Sequence, residues 1–200
     1  MSTRSVTNLI LAGVGGQGSV LATKVLALAA QRAGQRVVTS EVHGMSQRGG
    51  TVVTTVRYGA RVYAPAIPAG EADFLVASER LEGVRHLPLL RPGGVALVND
   101  QRITPSIEAL KLADYPTDLD ALAAAQRVTL HLVPALALAS ELGEPKLASS
   151  VLLGALSRLL DLPAEAWRGA LAESVPPRTV EANLAAFARG AEWALAGAPG

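Results

Sequence analysis

Residues 6–18 read VTNLILAGVGGQG, an apolar run that breaks into closely spaced glycines. Val6–Ala12 has the length and apolar content of a buried strand. The Ala/Leu-rich stretch Gln17–Ala33 behind it has the composition of a helix, closed by Gly34 as a C-cap. Arg36–Glu41 (RVVTSE) is a second β-branched run, so residues 6–41 are expected to form a βαβ unit.

Outward from this unit the elements keep alternating. Thr51–Arg57 (TVVTTVR) alternates like a strand, and Tyr58, Gly59 and Ala60 lead on to Arg61–Tyr63, which predicts a hairpin between the two. Asp73–Ala77 and Val95–Val98 read as buried parallel strands separated by a helical segment and an RPGG turn at Arg91–Gly94. Val128–Leu132 is the last expected strand. From Pro134 the pattern is helical: Ala135–Leu142, Lys146–Leu160, Pro163–Ser174 and Pro177 to about Ala196, with Asp161 a candidate N-cap. The expected architecture is a Rossmann-like, three-layer α/β domain, its mostly parallel sheet containing an antiparallel hairpin. No Gly/Ser/Pro-rich linker divides the chain, so residues 1–200 are expected to form one domain with a helical layer from about residue 134.

The glycine turn is the first chemical signal. Gly13, Gly15 and Gly18 match G-x-G-x-x-G, with Gly16 and Gln17 inside the turn. Glycines there permit a tight bend and close backbone approach, and the following helix offers unpaired N–H groups to a phosphate. Glu41, at the end of the second predicted strand, is the acid that would hold a ribose, although it lies beyond the usual spacing of about 20 residues. Two readings stay open: a dinucleotide site, or a strand-to-helix corner with no ligand. A P-loop is excluded because Ser19 and Val20 stand where Lys and Ser/Thr are required.

The second signal is EVHGMSQRGG, residues 41–50. His43 is a titratable donor, Gln47 an amide, and Arg48 a guanidinium fork suited to carboxylate or phosphate, while Gly44, Gly49 and Gly50 admit a ligand or a partner backbone closely. This loop leaves the second strand at the same carboxyl edge as the glycine turn, where open α/β sheets bind ligands. Taken singly, Arg48 suits an ordinary salt bridge and His43 a backbone carbonyl. His86, His131, Trp167 and Trp193 suit surface or packing roles, and Asp114–Asp120 (DYPTDLD) reads as a solvated turn or helix cap, lacking the spacing of a calcium loop.

GVGGQG, EVHGMSQRGGTVVTTVRYG, YAPAIP followed by ADFLVA, and VEANLAAFARG occur here in order, and together they resemble the gamma-type domain of 2-oxoacid:ferredoxin oxidoreductases over nearly the whole chain. Within that family the HGMSQRGG form is most similar to the beta subunits of the indolepyruvate enzymes. One departure is Ser149 in KLASSVLLGAL, where relatives often carry asparagine. The resemblance implies oxidative decarboxylation of a 2-oxoacid to its acyl-CoA. Thiamine diphosphate, Mg and iron–sulfur clusters would sit on a large partner subunit, coenzyme A would be co-substrate and ferredoxin the acceptor. Gly13, Gly15, Gly16, Gln17, Gly18, His43, Gln47, Arg48, Gly49 and Gly50 would help seat coenzyme A or complete the subunit interface. No residue of this chain is expected to perform the covalent chemistry.

Composition agrees with a dependent subunit. The chain has no cysteine, so it cannot ligate an iron–sulfur cluster through thiolates, and it has no G-D-G motif of the kind that holds thiamine diphosphate through magnesium. A net charge of +1 builds no field for nucleic acid or anionic lipid. The apolar run near the N-terminus is too short for a signal peptide or a membrane span, and the expected location is cytoplasmic. An independent NAD(P)- or FAD-binding oxidoreductase and a silent assembly module are the competing function classes.

Overall fold

A computed structural model describes residues 6–16, 18–43, 51–103 and 118–197. β1 (Val6–Val14) passes through the glycine turn into α1 (Ser19–Arg32), and β2 (Arg36–His43), β3 (Thr51–Gly59) and β4 (Ala72–Ala77) follow. Next come α2 (Arg80–His86), β5 (Leu90–Asn99), α3 (Leu119–Ala125) and β6 (Thr129–Val133). The chain continues through α4 (Ala135–Glu141), α5 (Ala148–Ser157), α6 (Ala164–Ser174) and α7 (Val180–Leu195). The strands form one sheet in the order β2-β3-β1-β4-β5-β6.

β1 lies inside the sheet with both faces buried, which is why its sequence is a nearly unbroken apolar run. Leu9 and Leu11 enter the core shared with α1 and α4–α7, while Ile10 and Ala12 enter the opposite core with Leu87 and Ala123. The three layers follow from this division. α1 ends as expected: Gly34 has φ 77, its N–H donates to Gln31 O (2.9 Å), and Gln35 N–H donates to Ala30 O (3.0 Å). This double closure needs a left-handed residue, which glycine adopts without strain.

The hairpin forms with a different partner. β3 pairs antiparallel with β2 on one side and with β1 on the other, so it separates the two strands of the expected βαβ unit. Arg61–Tyr63 is not a strand. Residues 64–66 instead lie against β3, where Arg57 donates through one terminal nitrogen to Ala64 O and Ala66 O (2.7 Å each) and the Thr55 hydroxyl to Pro65 O (3.1 Å). Ile67 packs on the sheet from this strap.

RPGG also departs from expectation, since it lies within β5. Ala72 is opposite Leu90 but Phe74 is opposite Val95, so Arg91–Gly94 bulge against the single residue Asp73. Gly93 (φ 75) makes the bend, which aims Arg91 Nε at Asp73 Oδ1, 2.7 Å away. Among the helices, Pro145–Leu147 and Pro177–Thr179 form 3-10 turns ahead of α5 and α7, and Pro163 occupies the N-cap position of α6 without a side-chain cap from Asp161. α5 and α7 cross at contact distance between backbones. A methyl group on Gly154 or Gly190 would collide with Phe187 O or Val151 O of the opposing helix.

Candidate functional site

The register fixes what meets at the carboxyl edge. His43 stands opposite Val52 and Val52 opposite Gly13, so the backbone of the last β2 residue, the start of β3 and the glycine turn form one row. Ala12 aligns with Ala77, Ala77 with Val98, and Asn99 with Val133, so β4, β5 and β6 end at the same edge. The Thr51 hydroxyl donates to the buried Glu82 carboxylate (3.0 Å), which ties the start of β3 to α2.

The glycines have separate jobs. Gly13 is a close-packing residue: a methyl there would collide with the hydroxyls of both Ser19 and Ser78. Gly16 (φ 93) and Gly18 (φ 80) take left-handed conformations, and Gly15 is an exposed turn residue. Gly18 is also the N-cap of α1, its carbonyl accepting from Ala22 N–H at 2.9 Å. The N–H groups of Ser19, Val20 and Leu21 therefore lack an intrahelical acceptor and form the positive end of the helix. A recess of about 170 Å³ lies against Val14, Gly15, Gly16, Gly18 and Val52.

On the β4–β5 side of the turn lies a cleft of about 220 Å³, lined by Gly16, Ser78, Asn99, Gln101, Lys146 and Ser149, with Leu136 and Leu152 among its apolar wall. Asn99, 2% exposed, organises it. Its Oδ1 accepts from Leu136 N–H at the start of α4 (3.2 Å), and its Nδ2 donates to Ser78 O and to Gln101 Oε1 (3.0 Å each). Leu136 N–H can only donate, so the Asn99 amide has one consistent orientation. The Gln101 oxygen is thereby occupied, and its NH₂ group remains as a donor. Ser149 sits over the glycine turn, where a methyl on Gly18 would lie 2.7 Å from its Oγ.

The cleft's charge is one-sided. No carboxylate lines it among the described residues, and the nearby Asp100 accepts from Arg80 Nε at 2.7 Å. Lys146 is exposed and makes no ion pair or hydrogen bond among the described residues. An ammonium unpaired among the described residues, the Ser149 hydroxyl and the Gln101 carboxamide donor suit an anionic, oxygen-rich group such as a phosphate.

Of the predicted residues, Gly13, Gly15, Gly16 and Gly18 thus meet at the carboxyl edge, with the His43 backbone two strands away. Gln17, Gln47, Arg48, Gly49 and Gly50 lie outside the described residues. Ser78, Asn99, Gln101 and Lys146 escaped the sequence reading. Their signal was position: Ser78 and Asn99–Gln101 stand where two predicted parallel strands end, the usual ligand edge. Of the residues given ordinary structural roles, residues 114–117 lie outside the described residues, and His131 Nδ1 is buried with no partner among the described residues. Asp118 caps α3 by accepting from Ala121 N–H (2.8 Å), and Trp167 packs in the helical layer with its ring centroid 5.8 Å from that of Phe187. His86 Nδ1 lies 2.8 Å from Glu82 O, and burial holds the His131 pKa below its usual value.

Known proteins resemble this chain in sequence and in fold. This chain is 38% identical over 193 residues to indolepyruvate oxidoreductase subunit IorB of Thermococcus kodakarensis, covering 94% of this chain and 95% of the relative. It is 36% identical to the subunit of the same name from Pyrococcus horikoshii, with the same coverage. The keto/oxoacid ferredoxin oxidoreductase gamma subunit of Geobacter sulfurreducens is similar in structure, with a TM-score of 0.72, 27% identity, and coverage of 95% of this chain and 99% of that one. Residues 8–193, from the buried strand behind the glycine turn to the last helix, match the pyruvate ferredoxin/flavodoxin oxidoreductase family, and the chain belongs to that family.

Proposed function

We propose that this chain is the small subunit of an indolepyruvate, or more broadly arylpyruvate, ferredoxin oxidoreductase, and that its carboxyl edge seats coenzyme A. The reaction would convert a 2-oxoacid and coenzyme A to acyl-CoA, CO₂ and a proton, passing two electrons to ferredoxin. The observation that carries the seating is the cleft, where among the described residues Lys146 is unpaired and the lining offers neutral donors but no carboxylate. Coenzyme A brings phosphates. Lys146 would neutralise one while Gln101 and Ser149 donate to its oxygens, and Gly16 and Gly18 keep the backbone low enough for approach. Arg48 and His43 of the EVHGMSQRGG segment would add a guanidinium and an imidazole to the seat.

The redox and decarboxylating groups fit poorly on this chain. Cysteine is absent, and the described residues bring no three His, Asp or Glu side chains together as a metal cluster. Thiamine diphosphate, Mg and iron–sulfur clusters are therefore assigned to the large subunit. The names of the relatives supply the indole or aryl substrate class. A dinucleotide site is disfavoured by topology. Because β3 intervenes, Glu41 stands two strand spacings, about 10 Å, from β1, where a ribose ligand would be needed one spacing away.

Anaerobic purification of the tagged chain from its native cells tests the proposal. The expected result is a brown, larger co-purifying subunit with arylpyruvate- and coenzyme A-dependent viologen reduction. A colourless chain that comes down alone and binds NAD(P) or FAD would refute it. In the active complex Arg48→Ala is expected to raise the KM for coenzyme A, since a charge-assisted contact contributes about 1.5–3 kcal/mol. An unchanged KM with weakened assembly would make the loop an interface only.

A further inference from the structure

The helical layer carries a groove that the coenzyme A seat does not use. α5 and α7 touch at Gly154 and Gly190, and beyond that crossing α5 ends and the chain bends toward α6. The space left between is about 380 Å³, with Leu160, Leu162, Trp167, Leu184 and Phe187 forming an apolar lining. It lies at the end of α5 away from the cleft, about 15 Å along a helix of ten residues. Leu159, next to the groove, is 39% exposed.

Two charges single the groove out. Arg158 and Arg168 line it, both exposed, and neither makes an ion pair or hydrogen bond among the described residues. Arg32 and Arg189 of the same layer are paired, Arg32 with Glu173 at 2.7 Å and Arg189 with Glu141 at 3.0 Å and Glu192 at 3.2 Å, while Arg178, outside the groove, has no partner among the described residues. Trp167, 1% exposed, also carries an indole N–H with no acceptor. An apolar floor with an aromatic ring and unpaired guanidinium groups is the composition that concentrates binding energy at protein interfaces.

We propose that this groove docks an acidic, apolar-tipped segment of the larger subunit, an inference that rests on the heteromeric reading above. Apolar side chains would fill the space against Leu184 and Phe187, and carboxylates flanking them would pair with Arg158 and Arg168. The charged pairs would set orientation and rate of encounter, and the apolar contact would hold the complex.

The test is co-expression of the two subunits with Arg158→Glu and Arg168→Glu together, at exposed positions where the fold should survive, checked by an unchanged Tm of the chain. The subunit Kd is expected to rise at least tenfold at low salt, with a smaller change for the Arg158→Lys, Arg168→Lys pair. In whatever complex remains, the KM for coenzyme A should be unchanged, which separates this proposal from the fate of the cleft. An unaltered subunit Kd for the double charge reversal would overturn it. So would a dimer of the isolated chain abolished by the same reversal, which would assign the groove to a second copy.

Discussion

The two ends of the central strands use polar residues in opposite ways. At the amino edge they close on each other. Asp73 accepts from Asn8 N–H (2.9 Å) and Arg91 Nε (2.7 Å), Asn8 Oδ1 accepts from Arg57 Nε (2.9 Å), and Asn8 Nδ2 donates to Glu71 O (3.1 Å). Arg57 then reaches the strap. Each charge in this circuit has a fixed partner, and the circuit locks the chain across the sheet. At the carboxyl edge Asn99 is equally buried and equally satisfied, but its bond to the Gln101 oxygen leaves the Gln101 NH₂ group to spare, and Lys146 has no partner among the described residues. Polar groups that satisfy one another hold a fold together; polar groups held in place with capacity to spare suit a ligand.

Substitutions can break this contrast. The largest loss of stability is expected at the amino edge: Asp73→Ala leaves Arg91 and Asn8 N–H without their acceptor, and should cost about 3 kcal/mol in urea unfolding, at the low end for a broken buried pair because Arg91 is part-exposed. The KM for coenzyme A should not follow. Asn99→Leu should cost about 2 kcal/mol, chiefly through the unpaired Leu136 N–H, and here the KM should rise as well, because Ser78 and Gln101 lose their common anchor.

Gly18→Ala should cost about 1–2 kcal/mol from the left-handed backbone and more from crowding Ser149. Gly16→Ala, with open space around it, should show only the backbone part. If the crowding is real, Ser149→Ala recovers part of the Gly18→Ala loss in a double-mutant cycle, and strict additivity would remove Ser149 from the turn.

The smallest effect is in the pH dependence. Burial lowers the His131 pKa, so the unfolded chain binds the proton more readily than the folded one. This costs no stability above the usual histidine pKa of about 6.5, and stability then falls as pH drops from there toward the folded value. His131→Gln should flatten that part of the stability profile in pH-dependent urea unfolding. A profile identical to the parent would show that His131 does not report on folding.

What the sequence reveals is local. VTNLILAGVGGQG gives β1, the turn and α1 because its apolar run, its glycines and Gly34 act within a few residues of one another. The insertion of β3 between β1 and β2 is invisible there, since Thr51–Gly59 has suitable strand chemistry for either neighbour and only the packed register decides. RPGG looks like a turn for the same reason: a bulge needs β4 and Asp73 beside it. The candidate site divides likewise. The glycines announce themselves by spacing, whereas Ser78, Asn99, Gln101, Lys146 and Ser149 come from three separate segments, and only the fold makes them one cleft.

The most direct test of the central claim is the KM for coenzyme A in the assembled enzyme carrying Lys146→Ala, with Tm, subunit affinity and the KM for the 2-oxoacid measured on the same preparation. If the cleft seats the phosphates of coenzyme A, its KM rises about tenfold or more, as loss of one charge-assisted contact requires, while the other three quantities hold and Lys146→Arg stays near the parent. A KM for coenzyme A that does not move in Lys146→Ala would contradict the account, and the cleft would no longer be the seat.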